Sequence, residues 1–108
     1  MDLPDDADGD ALRRLADHGS DLSQPMDIDF AVAVPDEKAG HALATLAASR
    51  GYRPGLSQDE ETGEWTCSCT RSMVASYEAL SAAQAELDDL ARPLGGYADG
   101  WGSFGNAG

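Results

Sequence analysis

The segment that most constrains this chain is the run Met26 to Val34, in which Met26, Ile28, Phe30, Val32 and Val34 alternate with Asp27, Asp29, Ala31 and Ala33. Successive side chains of a strand point to opposite faces, so the period of two predicts a strand with one apolar side and one polar side. A sheet built around it is to be covered by helices on one side and left open on the other.

The segments that follow supply that cover. Pro35 ends the strand and Asp36 is placed to cap a helix reaching about Arg50, with Ala39, Ala42, Leu43, Leu46 and Ala47 as its inward stripe and Gly51 as its stop. Residues 52–58 and 64–72 flank an acidic turn, Asp59 to Gly63, and read as a hairpin whose first strand Pro54 assigns to a sheet edge. In the second strand Trp65, Cys67 and Cys69 face the core, with Thr66, Ser68 and Thr70 on the other side. From Ser76 to about Ala91, Tyr77, Leu80, Ala83, Gln84, Leu87, Leu90 and Ala91 recur at helical steps until Pro93, Gly95 and Gly96 end the run. A last strand is expected from Tyr97 to about Phe104. Upstream, Ala11, Leu12, Leu15 and Ala16 predict a short helix closed by Gly19, with Asp8 or Asp10 as its cap. Residues 1–10, which include five aspartates, are expected to be a disordered acidic lead-in to a single domain over residues 11–105.

After the lead-in helix the order is strand, helix, strand, strand, helix, strand: an α+β domain of split-βαβ type (βαββαβ), with two helices on one face of a four-stranded antiparallel sheet. Its first and third strands are central. Asp27, Asp29, Ala31, Ala33, Thr66, Ser68 and Thr70 are therefore expected on the open face, which reads as flat, small-residued and negative. RNA-binding domains of this topology stack bases on aromatic residues of the central strands, and no aromatic residue stands at these positions.

Charge narrows the partners further. Twenty Asp and Glu stand against six Arg and one Lys, for a net charge of -13. Such a chain has no basic patch for a phosphate backbone or an anionic lipid surface, and its field favours a basic protein partner. No apolar run approaches the ~20 residues of a membrane span, and the acidic N-terminus is unlike a signal peptide, so a cytoplasmic location is expected.

Catalytic signatures are wanting: the sequence has no Ser-His-Asp arrangement, glycine-rich phosphate loop or HExxH run. Cys67 and Cys69 invite a zinc or redox reading, but a closed zinc site needs four ligands, and the two histidines, His18 and His41, lie in helical regions. Reduced core thiols are expected, with no metal, cofactor or catalytic residue. Asp99, before Gly100-Trp101-Gly102, stands apart from the other acids. Glycines flanking a strand tryptophan leave bare backbone on the opposite face and permit close approach of another segment.

Together, the lead-in helix ending near Gly19, the strand 28–34, Gly51-Tyr52 after the first long helix, the cysteine-bearing strand, the second long helix and the closing Asp99-Gly100-Trp101-Gly102 resemble the family of the regulator of ribonuclease activity B, over about Leu12 to Phe104. The resemblance implies a ferredoxin-like fold without cofactor and a protein that binds a ribonuclease E-like endoribonuclease and inhibits RNA processing. The family's namesake carries a long acidic C-terminal tail; here the acidic segment, Asp2 to Asp10, lies at the other end. Asp27, Asp29, Asp99 and Trp101 are the expected partner-binding residues. The rival expectation is an acidic mimic of nucleic acid, or an immunity-type protein, that blocks a different basic target; a metal or redox protein centred on Cys67 and Cys69 ranks third.

Overall fold

The computed structural model of the chain describes residues 7–17, 19 and 21–103. Helix α1 (Ala7–Asp17) precedes strand β1 (Pro25–Val34), helix α2 (Glu37–Ser49), strands β2 (Arg53–Gln58) and β3 (Trp65–Val74), helix α3 (Tyr77–Ala91), a single 3-10 turn (Arg92–Leu94) and strand β4 (Tyr97–Gly102). The strands form one sheet in the order β2-β3-β1-β4, every neighbouring pair antiparallel. The two central strands are thus the two that the sequence nominates, and Pro54 stands on an edge.

The period of β1 is realised residue by residue. Met26, Ile28, Phe30, Val32 and Val34 are buried, as are Cys67 and Cys69 of β3, which lie opposite Val32 and Phe30. Leu43 and Ala47 of α2 and Leu80, Ala83, Leu87 and Ala91 of α3 close the core over this side of the sheet. The helix ends follow the local chemistry. The side chains of Asp36 and Ser76 accept from the N–H groups of Ala39 and Ala79, and Gly51, at φ +91°, turns the chain out of α2.

The helix α2 stripe differs from expectation at two positions. Leu46 is exposed, and Gly40 is buried in its stead, because Leu56 of β2 fills the space that a larger side chain would need. Helix α1 begins at Ala7, so residues 7–10 of the expected lead-in are helical; aspartates suit a helix N-terminus, and Leu12, one turn on, is fully buried. Residues 1–6 and Phe104 lie outside the described residues.

Strand β4 meets β1 irregularly. Phe30 pairs with Trp101 and Val32 with Ala98, so Ala31 faces both Asp99 and Gly100 across a bulge. Gly100 has φ +102°, and nothing lies within 4 Å of where its Cβ would stand. The glycines around Trp101 were expected to admit another segment; at Gly100 the requirement is instead the backbone angle of the bulge. Close approach occurs earlier, at Gly96, where a Cβ would lie 2.3 Å from the carbonyl oxygen of Ala33.

Candidate functional site

The polar side of the sheet is built from cross-strand rows. Arg53, Thr70, Asp29 and Gly102 form one row, and Ser57, Thr66, Ala33 and Tyr97 another; Gly55, Ser68 and Ala31 lie between them, and Asp27 stands beside Ser72. Small side chains keep the middle of this face flat.

Its charge differs from the sequence expectation. Arg53 reaches from the edge strand to Asp27, Nη2 to Oδ1 3.3 Å, and the Thr70 hydroxyl donates to Asp29 Oδ1 at 2.5 Å. Both aspartates named from the sequence lie on this face, but each has a partner, and the face carries a guanidinium that strand parity alone did not weigh. At the far end of β4, the Ser103 hydroxyl donates to the Asp27 carbonyl at 2.7 Å and ties the last strand to the first.

The other two expected residues separate. Asp99 is exposed on the uncovered side, whereas Trp101, paired with Phe30, is part-buried against the core on the helix side. The bulge at Gly100 produces this split, since it resets the alternation between them. Asp99 belongs to a feature that the sequence did not reveal: a cleft of about 210 Å³ at the end of the sheet where β1 runs into Pro35, lined also by Ala33, Glu64, Trp65, Thr66 and Tyr97. The available signal was Tyr97 directly after Gly95-Gly96, a large side chain following a backbone held tight.

On the helix side, a polar cluster is built around Tyr52. Its hydroxyl donates to Glu86 Oε1 at 3.1 Å, Arg50 pairs with Glu86 at 3.5 Å, and the Arg71 guanidinium lies 4.5 Å from the ring centroid. Phe30 meets the same ring edge to face at a centroid distance of 6.0 Å. Burial pushes the Tyr52 hydroxyl up to about 12, with the Arg71 charge opposing and Glu86 assisting. This cluster locks α2, α3 and β3 together.

Cys67 and Cys69 are free and buried, with sulfurs 3.9 Å apart. The contact with Cys67, and then burial, hold the Cys69 thiol above its ordinary range. Among the described residues no three His, Cys, Asp or Glu side chains come together as a metal-binding group, and no helix is long and apolar enough to cross a membrane. The arrangement is therefore one of surfaces: a flat sheet face, an acidic aromatic cleft at its end, and a packed interior.

Comparison with known proteins gives one positive result. The family model described as regulator of ribonuclease activity B matches residues 5–103. No curated protein matches the chain.

Proposed function

The chain belongs to the regulator of ribonuclease activity B family, and from that premise we propose that it binds a ribonuclease E-like endoribonuclease and inhibits RNA cleavage. It is a regulator of ribonuclease activity and not itself a catalyst. Family membership is the observation that carries this reading. The strand order β2-β3-β1-β4 supports a ferredoxin-like arrangement, and the net charge of -13 supports a basic region of the enzyme as the surface engaged. We assign the protein to the cytoplasm, where such an enzyme acts on RNA.

The uncovered sheet face is the proposed docking surface, with Asp27, Asp29 and Asp99 as its charges. Trp101 serves it from the other side by anchoring β4. The lack of aromatic residues along β1 and β3 on this face argues for a protein ligand over RNA.

A cleavage assay tests the reading. Molar excess of the protein is expected to slow cleavage of a single-stranded RNA by the enzyme without retaining the RNA itself in a gel-shift measurement. The double variant Asp27→Lys, Asp29→Lys is expected to inhibit less well, with the largest loss at low ionic strength, because at about 0.15 M salt exposed charges reach only ~8 Å. A parent protein that neither binds the enzyme nor slows it would remove the proposal and favour the acidic-mimic reading.

A further inference from the structure

We propose that the cleft at the end of the sheet is a receptor for an arginine side chain presented by a basic segment of the protein partner. This inference rests on the proposed function only in taking the partner to be a protein.

The cleft has a floor, two walls and a charged rim. Ala33 pairs with Thr66 on one side and with Tyr97 on the other, so the smallest side chain of that row lies between two larger ones. The flanking strands are two sheet spacings apart, roughly 9.6 Å, which leaves a slot wide enough for one planar group above the alanine. Trp65, which packs against the core on the helix side, borders the cleft at the start of β3, and Pro35 borders it where β1 ends. Gly96 sets the near wall: with its Cα so close to the Ala33 carbonyl that a Cβ would clash, the chain enters β4 hard against β1 and seats Tyr97 beside the floor.

The chemistry of the walls selects the occupant. Tyr97 is 47% exposed, the most exposed large apolar side chain among the described residues. Glu64 and Asp99, which also line the cleft, make no ion pair among the described residues, whereas Asp27, Glu86 and Asp88 each do. An apolar occupant would strip water from the two carboxylates without replacing its hydrogen bonds, and an anion would be repelled. A guanidinium satisfies both demands, because its plane stacks on an aromatic face while its edge donates to carboxylates. A lysine ammonium offers charge without the plane. With a net charge of -13 on the chain as a whole, further basic residues flanking such an arginine are attracted too.

The test uses the full chain and two labelled peptides of equal length and charge, one of alternating arginine and glycine, the other of alternating lysine and glycine, followed by fluorescence anisotropy. The arginine peptide is expected to bind about fivefold more tightly, the size of a partly exposed cation–aromatic contact. Tyr97→Ala should abolish that preference and Tyr97→Phe should keep it; Glu64→Gln with Asp99→Asn should weaken the arginine peptide about tenfold, and Glu78→Gln, on the exposed surface of α3, should leave the preference unchanged. Equal binding of the two peptides, or a preference that survives Tyr97→Ala, overturns the inference. The ribonuclease assay run in parallel separates the two proposals. Full inhibition by Tyr97→Ala would overturn a role for the cleft while leaving the regulator reading intact. An arginine preference lost in Tyr97→Ala, in a protein that does not touch the ribonuclease, would support the cleft and overturn that partner.

Discussion

Tyr52 is the residue at which the interior and the charge pattern meet. It is 3% exposed, yet its ring carries Arg71 on one face and its hydroxyl reaches Glu86, so a phenol sits between a cation and an anion at the edge of the core. Its folded value, about 12, lies above the ordinary 10.0, so the folded state holds the phenolic proton more tightly than the unfolded chain. The resulting stabilisation is full below pH about 10 and is lost as pH rises through about 12. Tyr52→Phe should therefore cost about 1 kcal/mol at neutral pH, from the lost hydrogen bond, and should flatten the alkaline fall in stability. Urea midpoints measured for both proteins from neutral to alkaline pH check this, and parallel curves would contradict it. Gly51-Tyr52 was visible in the sequence as a helix stop followed by an aromatic. Arg71 was not, since an arginine on the core parity of a central strand makes sense only once the Tyr52 ring is seen beneath it.

At the scale of elements, two buried glycines make the same demand for opposite physical reasons. A Cβ on Gly40 of α2 would stand 2.4 Å from Leu56 Cδ1, and a Cβ on Gly96 would stand 2.3 Å from the Ala33 carbonyl oxygen. The first obstacle is the end of a flexible side chain that can swing aside, and alanine gains up to ~1 kcal/mol of helix propensity. The second is backbone within the sheet, which cannot yield without moving β4. Gly40→Ala should thus leave the melting temperature within a few degrees of the parent, while Gly96→Ala should lower stability by roughly 1–3 kcal/mol; comparable melting temperatures for the two variants would contradict this. Elements were the most legible level of the sequence. The parity of β1, the cap at Asp36 and the edge position of Pro54 all follow from local rules that tertiary contacts here reinforce. The bulge at Gly100 was illegible because its cause is pairing with Ala31, and it is this bulge that sends Asp99 and Trp101 to opposite sides. Leu46 departs from the expected stripe for a similar reason: how far a helical stripe is covered depends on the strand beneath it, and β2 supplies Leu56 nearer Gly40.

For the whole molecule, 20 acidic residues against seven basic ones mean that folding gathers like charge, and salt must act with opposite signs on stability and on association. Added sodium chloride should raise the melting temperature by screening self-repulsion, while it weakens the complex with a basic partner. Calorimetry and anisotropy over the same salt series measure both, and a melting temperature that falls with salt would show that pairs such as Asp27 with Arg53 outweigh the repulsion. The net charge was plain in the sequence; the cleft was not, because Glu64, Tyr97 and Asp99 become neighbours only through the pairing of β1 with both β3 and β4. The outer strands carry one further consequence. On β4, Asp88 of α3 accepts from the Ala98 N–H at 2.9 Å, and on β2 Pro54 has no N–H to offer. Each margin of the sheet is thereby denied part of the hydrogen-bonding ladder along which a fifth strand would zip, so the molecule is guarded against ribbon-like self-association during crowded synthesis or storage. Its sociability is confined to side chains, where a partner can be chosen by charge and shape.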